Sequence, residues 1–234
     1  MTINRYTIEA DPDFPIQERF NVLVPLNFML STDGNLDIWC YESTAELAQR
    51  FADEFADEDE RLFSDEAFDW IYREYADTVD SWGYAADEKR RGVWLYNFEA
   101  RDESDLDLSL IREDSMMLGD FRKYKNKTTF NLEMQARQYL RCAVTVQEGA
   151  VVSIAGENMR FDEAVTEIGC ETNPHYRRQG MAVSNVVLLT QKLLEDNNRV
   201  QYNCSCRNDT SRGVAERAGF TQVGRSYYLT CYQK

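Results

Sequence analysis

One stretch of the sequence, IGCETNPHYRRQGMAVSNVVLLTQKLLEDNN at residues 168–198, limits the possible folds more than any other. A short apolar run ends at Pro174, which cannot donate to a strand ladder, so the run is predicted to be a strand that ends there. Apolar residues at helical spacing follow and predict a helix that begins near Met181. The turn between them is basic, although the chain is acidic overall, and contains Arg177, Arg178, Gln179 and Gly180.

This basic turn lies where a helix can bind an anion. The first backbone amides of a helix have no partners within it, and the helix dipole adds partial positive charge at the same end. Gly180 would let the backbone approach a phosphate closely, and Arg177 and Arg178 would add charge. The turn is therefore predicted to hold a pyrophosphate group. The alternative is a solvated turn with a flexible glycine.

The overall charge limits the partners. The chain has 234 residues, enough for one large domain or two small ones, and 26 − 41 = −15 formal charges. Nucleic acid and anionic membrane surfaces repel such a field, so neither is an expected partner. A cationic substrate fits better.

The charge is also divided unevenly along the chain. Residues 46–105 have a net charge of 7 − 19 = −12, and residues 165–234 have 9 − 6 = +3. We therefore divide the chain into an acidic mixed α/β region, residues 1–105, and a second domain, residues 106–234. The acids form either solvated helix faces or a wall that attracts a cationic amine.

Localisation and metal binding follow from what the sequence lacks. No apolar run approaches the roughly 18 residues that a spanning helix needs, and the N-terminus has no apolar signal core. We expect a cytoplasmic protein with reduced cysteines. Cys204 and Cys206 form a C-x-C pair, but the chain has one histidine and no second cysteine pair, so no metal site is expected.

Local patterns predict most elements. Asp33-Gly34 and Glu148-Gly149 are hairpin signals. Ser43 and Glu46 form a capping-box pattern before a helix, and residues 64–82 carry the stripe of another. Further predictions are a strand over residues 92–100, helices over 108–126 and 131–140, and then strand, helix, strand, helix, strand from residue 165 to the end.

Two motifs give the second domain a family. NPHYRRQGMA resembles the acetyl-CoA-binding motif of the GNAT N-acetyltransferase superfamily through Pro174, Tyr176, Arg177, Gly180 and Ala182. NDTSRGVAERAGF is similar to a second motif of that family, which begins with Asn and ends in Gly-Phe. TEIGCET is most similar to a bacterial branch with an extra N-terminal region. The resemblance covers about the last 125 residues and implies an α/β (α+β) fold with a mixed, mostly antiparallel central sheet flanked by helices.

The resemblance also implies how acetyl-CoA would bind. Backbone groups at the end of the strand before the turn would line the pantetheine arm where two parallel strands separate, amides of the turn would hold the pyrophosphate, and the second motif would contact pantetheine. The cofactor-binding residues are then Cys170, Glu171, Thr172, Arg177, Arg178, Gln179, Gly180, Met181, Ala182, Asn208 and Ser211.

The catalytic residues are less clearly marked. Many family members have a tyrosine, the acid for the leaving thiolate, where this sequence has Ala215. Tyr228 is a substitute candidate, with simple packing as the alternative. Glu167 and Glu171 point to one face of a regular strand, since one residue separates each from Gly169, and either could be the base or a solvated strand residue.

The expected function is transfer of acetyl from acetyl-CoA directly to a primary amine of a small molecule or peptide, with the acidic region as one wall of the acceptor site. The alternative is a non-catalytic module that binds CoA or a protein, which the alanine at position 215 motivates. A different acyl donor and a homodimer are left open.

Overall fold

The computed structural model describes residues 1–11, 22–119, 125–126, 141–160, 165–196 and 199–234. The helices are α1 (Ala45–Phe55), α2 (Asp59–Leu62), α3 (Asp65–Ser81), α4 (Met181–Leu194) and α5 (Asp209–Ala218). The strands are β1 (Arg5–Asp11), β2 (Val22–Leu23), β3 (Leu26–Ser31), β4 (Asn35–Tyr41), β5 (Tyr84–Ala86), β6 (Leu95–Ala100), β7 (Ser115–Met117), β8 (Lys125–Asn126), β9 (Cys142–Gln147), β10 (Ala150–Arg160), β11 (Val165–Thr172), β12 (Arg199–Ser205), β13 (Thr221–Tyr228) and β14 (Cys231–Gln233).

The chain forms two compact units that are not continuous in sequence. The first unit contains Met1–Tyr96, Ser205–Arg207 and Val223–Lys234, and the second contains Asn97–Cys204 and Asn208–Gln222. The boundary drawn from charge, between residues 105 and 106, falls within the second unit. The functional division that it was meant to mark stays a prediction.

In the first unit, β1, β4, β3 and β13 lie side by side, and β2, β14 and β5 form a small separate sheet. The β1–β4 pair is parallel, while β3 pairs antiparallel with both β4 and β13. Helix α1 packs on β1 and β4 and against α3. The core between them is rich in aromatic rings, because α1 and α3 place Phe51, Phe55, Phe68 and Tyr75 on their buried faces.

In the second unit, β6, β12, β11, β10, β9 and β7 follow in that order across the sheet. Helix α4 packs on β10, β11, β9 and β7 and also against α5. Its apolar residues are buried against the sheet. The helix therefore begins directly after the turn that follows β11. The pair β11–β12 is parallel, as a strand–helix–strand crossover requires.

The expected fold class is confirmed. Most described pairings are antiparallel, the parallel ones are β1–β4, β8–β10 and β11–β12, and helices flank the sheets. Both hairpins form as predicted, with Gly34 at φ +85°, Glu148 at +52° and Gly149 at +73°. Positive φ at both central positions is the requirement of the tight turn between β9 and β10.

Three local predictions are wrong. The capping box at Ser43 is absent, because a 3₁₀ turn over Glu42–Thr44 runs directly into α1 and Thr44 becomes its N-cap. Residues 108–119 form a 3₁₀ turn and β7 in place of the predicted helix. The closing segment is two strands, β13 and β14, because the chain leaves the ladder with β3 after Tyr228. The helix predicted over residues 131–140 lies outside the described residues.

Two further observations concern membranes and thiols. Among the residues described, no helix combines the length and the apolar character needed to cross a bilayer. All six cysteines are free thiols, and most are buried.

Candidate functional site

Strands β11 and β12 separate part-way along their length. Their parallel pairing runs from Val165 with Arg199 to Ile168 with Tyr202. Both strands continue further, β11 to Thr172 and β12 to Ser205, and β11 there pairs with β10. We call the space between Gly169–Thr172 and Asn203–Cys204 the strand opening. The strands therefore part at the point that the resemblance predicts.

The turn between β11 and α4 has an unusual backbone. A 3₁₀ turn at Pro174–Tyr176 is followed by Arg178 at φ +61° and Gly180 at φ +79°. Gly180 is the N-cap of α4, and because glycine has no side chain it gives the first amides of that helix no side-chain cap. A Cβ at Gly180 would meet nothing within 4 Å, so the space beside this glycine is open. Such a turn presents consecutive N–H groups to an anion.

Arg112, which the sequence analysis did not select, fixes this turn. Its Nη1 donates to the carbonyl oxygen of Gln179 at 2.9 Å, and its backbone N–H donates to Ser184 Oγ on α4 at 2.8 Å. Asp114 accepts from the same guanidinium at 2.7 and 2.8 Å, and this bond lowers the pKa of the Asp114 carboxyl. No sequence motif marks Arg112, because its partners are 67 and 72 residues away.

The two arginines of the turn differ in their contacts. Arg177 Nε donates to the carbonyl oxygen of Thr172 at 3.2 Å, so its side chain folds back on the end of β11. Arg178 is exposed, and its positive φ costs about 1 kcal/mol for a residue other than glycine. Strain of this kind persists only where surrounding contacts hold it, and the Arg112 bond to the next residue is one such contact.

On one face of the sheet, a buried tyrosine lies at the inner end of the strand opening. Tyr202 Oη lies 2.8 Å from Ser211 Oγ and 3.2 Å from Cys170 Sγ. Burial raises the pKa of both the Tyr202 phenol and the Cys170 thiol, so both are protonated at neutral pH. The fold thus places Cys170 and Ser211, two predicted cofactor-binding residues, next to Tyr202, which was not predicted from the sequence.

The opposite face of the same strands is polar. Asn203 Nδ2 donates to Glu167 Oε2 at 3.1 Å, and Gln201 Nε2 donates to Glu99 Oε1 at 3.4 Å. Glu99 also pairs with Arg199 Nη1 at 3.5 Å and with Arg101 Nε. A row of amides and carboxylates therefore crosses β6, β12 and β11 beside the strand opening. The Glu99 carboxylate, although buried, is matched by two guanidinium groups.

Comparisons with known proteins agree with this geometry. The sequence profile of the GNAT acetyltransferase family matches residues 107–229, more than half of the chain. The chain belongs to the GNAT acetyltransferase family. The predicted bacterial branch with an extra N-terminal region stays a prediction.

Two solved structures resemble this chain, and the first of them supports the fold. A GNAT-family protein of Novosphingobium aromaticivorans is 17% identical, with 65% of this chain and 68% of that chain covered and a TM-score of 0.50. A GCN5-related N-acetyltransferase-like protein of Streptococcus suis is 18% identical, with 68% of each chain covered and a TM-score of 0.49. Among curated protein sequences, none matches the chain. GNAT membership makes acyl transfer, with an acyl-CoA as the usual donor, the general activity of this fold.

Within this GNAT domain, the second motif forms a capped helix. Asn208 Oδ1 accepts from the backbone N–H of Ser211 at 3.1 Å and so begins α5, and Gly219 ends it at φ +101°. Ala215, at the position where many relatives have tyrosine, is fully buried. Asn208 and Ser211 are thus near the start of α5, and their contact with pantetheine stays a prediction, as it does for Cys170, Glu171 and Thr172.

The catalytic candidates lie in different units. Glu167 and Glu171 are on β11 of the second unit, and both are partly buried. Tyr228 belongs to the first unit, where its Oη accepts from Arg90 Nη1 at 3.1 Å and the guanidinium lies 5.9 Å from its ring. Its catalytic role remains a prediction. In the described parts of the chain, no cluster of three or more His, Cys, Asp or Glu residues could hold a metal ion.

Proposed function

We propose that the protein transfers an acetyl group from acetyl-CoA to a primary amine of a small molecule or peptide. The observation that carries this proposal is the combination, in one unit, of the strand opening and the uncapped start of α4 at Gly180. A parallel strand pair that parts can admit an extended arm, and open amides at a helix start can bind phosphate. Acyl-CoA donors present both groups.

The residues of the turn fit the donor's pyrophosphate. Backbone amides of Arg178 to Ala182 would bind it, with the open space at Gly180 leaving room for phosphate oxygens. Arg178 is exposed and adds charge, while Arg177 is held by Thr172 and would act mainly through its backbone. Backbone groups of Cys170, Glu171 and Thr172 would line the pantetheine arm along the strand opening.

The reaction needs proton transfers, for which the chain offers candidate residues. The acceptor ammonium loses a proton to become a nucleophile, and its nitrogen bonds to the thioester carbonyl carbon. The nitrogen then loses a second proton, the C–S bond breaks, and the thiolate takes up a proton, with one proton released overall. Glu167, beside the strand opening, is our candidate base, and Glu171 is the alternative on the same face. Tyr228 stays a candidate acid.

The acceptor is expected to be cationic, because the acidic region attracts such a group. Charge reversal at exposed acids of residues 46–105 should raise the KM for the amine and leave donor affinity unchanged. An unchanged amine KM would contradict the idea of an acidic wall. We expect this reaction in the cytoplasm, without a nucleic-acid or membrane partner.

A second candidate function rests on Ala215. Since that position has no phenol, the fold could bind CoA, or only a protein partner, without turnover. Such a module would bind acetyl-CoA and leave every amine unmodified, or would not bind it at all. An acyl group other than acetyl remains a third option, to be tested by exchanging the donor.

The first experiment is isothermal titration with acetyl-CoA. The native protein should bind with a Kd in the micromolar range, and the double variant Arg178→Glu, Gly180→Asp should lose binding through charge repulsion. Gly149→Asp is the matched control, because Gly149 has nearly the same φ, +73°, and also has open space, but lies in the hairpin between β9 and β10. Failure of the native protein to bind would overturn the proposed enzyme.

A further inference from the structure

Arg112 controls the direction of one peptide group in the turn before α4. Its Nη1 donates to the carbonyl oxygen of Gln179 at 2.9 Å, so this carbonyl faces Arg112. No described peptide bond is cis, so the bond between Gln179 and Gly180 is trans. In a trans peptide the N–H points opposite to the carbonyl, and the N–H of Gly180 therefore points away from Arg112.

Gly180 by itself would leave this peptide group free to turn. Its φ is +79°, and glycine moves to other values of φ at little cost. A Cβ there would meet nothing within 4 Å, so no neighbour on that side restrains it. If the peptide group turned over, its carbonyl oxygen would point where the N–H now points, and it would repel an anion that the N–H attracts. The bond from Arg112 opposes that rotation.

Asp114 holds the guanidinium of Arg112 in place. Its Oδ1 and Oδ2 accept from Nε and Nη2 at 2.7 and 2.8 Å, while Nη1 is directed at Gln179. The planar guanidinium fixes the angles between these bonds, which a lysine ammonium could not reproduce. The carboxylate also compensates the charge of Arg112. The influence of Arg112 on an anion therefore comes mainly from the orientation of the peptide group.

A chain of hydrogen bonds anchors the backbone of Arg112 to α4. The Arg112 N–H donates to Ser184 Oγ at 2.8 Å. At the other end, Thr145 Oγ1 donates to Asn185 Oδ1 at 3.1 Å. Each hydroxyl has one proton, so Ser115 donates to Thr145 at 3.2 Å and accepts from Ser184 at 2.8 Å. The two ends of this chain thus fix the direction of every bond, and burial of Ser184, Thr145 and Asn185 strengthens them.

We propose that Arg112 is a positioning residue that holds the Gly180 N–H toward the pyrophosphate of acetyl-CoA. This inference rests on the proposed function. In this role Arg112 does not contact the donor and acts through the Gln179 carbonyl. Its contribution to affinity is confined to donors that contain the pyrophosphate, because a donor without one makes no use of the Gly180 N–H.

The test compares acetyl-CoA with S-acetylpantetheine, which has the same thioester and arm but no phosphate. Arg112→Ala should raise the Kd for acetyl-CoA by about 10-fold or more, which corresponds to one hydrogen bond to a charged group, and should leave the Kd for S-acetylpantetheine unchanged. Isothermal titration measures the first Kd, and displacement by acetyl-CoA measures the second. Arg101→Ala is the matched control, because Arg101 Nε also pairs with a carboxylate two residues away, that of Glu99, and both Kd values should stay native.

Asp114→Asn separates orientation from charge. The change removes one negative charge beside Arg112, so a purely electrostatic role predicts tighter binding of acetyl-CoA. Positioning predicts weaker binding, by about 3-fold or more, because asparagine accepts through one oxygen and holds the guanidinium less firmly. Arg112→Lys keeps the charge without the fork and should also bind acetyl-CoA more weakly. Tighter binding by Asp114→Asn, or native affinity of Arg112→Lys, overturns the positioning role.

The outcomes distinguish this inference from the proposed function. A native protein that binds acetyl-CoA and acetylates no amine overturns the proposed function, while the Kd values still decide the inference. A native protein that does not bind acetyl-CoA overturns both. An equal rise of both Kd values in Arg112→Ala, or no rise in either, overturns the positioning role alone, and a rise for acetyl-CoA only supports it. If Arg112→Ala does not fold, the sign of the change in Asp114→Asn decides.

Discussion

The two units of this chain differ in how their interiors are built. The first unit is packed by aromatic rings, with centroids 5.4 Å apart for Phe28 and Phe51 and 4.8 Å apart for Phe68 and Tyr227. The core of the second unit is mainly aliphatic, with Val144, Val151 and Val187 fully buried under or within its sheet. The second unit also contains the strand opening, the strained Arg178 and the uncapped α4.

This difference separates stability from chemistry. Large rings bury much apolar area and stabilise the first unit through continuous packing. The second unit keeps backbone groups available that a fold built only for stability would have paired or capped. Variants should therefore divide into those that weaken folding and those that weaken donor binding.

The largest effect should come from Phe51→Ala. Phe51 is fully buried and its ring contacts Phe28, Phe55 and Trp70. Truncation should lower the free energy of unfolding by about 3–5 kcal/mol in urea. At temperatures where the variant is folded, the Kd for acetyl-CoA should equal the native value. A loss of donor affinity in the folded variant would show that the first unit contributes to donor binding as well as to stability.

A glycine pair in the second unit should give the next largest effect. Gly219 has φ +101°, and a Cβ there would lie 2.0 Å from the carbonyl oxygen of Asp105, so Gly219→Ala should cost about 2–4 kcal/mol. Gly213, inside α5, has open space, and Gly213→Ala should stabilise by up to about 1 kcal/mol. Thermal unfolding of both variants measures the contrast. Equal effects would mean that the close contact at Gly219 is not a constraint.

The smallest effect concerns an ion pair of the first unit. Asp59 accepts from Arg225 at 2.6 Å and from the N-terminal ammonium at 2.8 Å. Burial alone would raise the pKa of Asp59, but these two cations bring it below its ordinary value. Asp59→Asn should cost about 1–2 kcal/mol at pH 7.

The sign of the pH dependence follows from the lowered pKa. The Asp59 contribution is complete above the ordinary aspartate pKa of about 4 and is lost as the pH falls further, so native protein and Asp59→Asn should converge in acid. Urea unfolding at several pH values measures this. Asp57→Asn, which removes an exposed pair with Arg61, is the control and should change stability less. A difference that persists unchanged into acid would contradict the assignment.

Local features of the fold could be predicted because they depend on neighbouring residues. Asp33-Gly34 and Glu148-Gly149 set their hairpins through positive φ, and the basic turn before Met181 marked the start of α4. The 3₁₀ turn and strand at residues 108–117 could not be predicted in this way, because β7 depends on pairing with the distant β9.

The same limit applies to the candidate site. The motif residues of the turn could be selected from the sequence, whereas Arg112, Tyr202 and Asn203 could not. Their importance depends on where the β11–β12 pairing ends and on bonds across long separations, such as the 36 residues between Asn203 and Glu167. Register is a tertiary property, so the alternation of β12 alone does not show which residue borders the opening.

The division of the first unit between both ends of the chain also has a consequence for biosynthesis. Strand β3 has β13 as its neighbour, and β13 leaves the ribosome only after the whole second unit has been translated. Until then, the edge of β3 in the nascent first unit has no β13 to pair with. An unpaired strand edge of this kind promotes aggregation. Residues 223–234 belong to the first unit, so the edge of β3 and the aromatic core of that unit can be completed only after these residues have been translated.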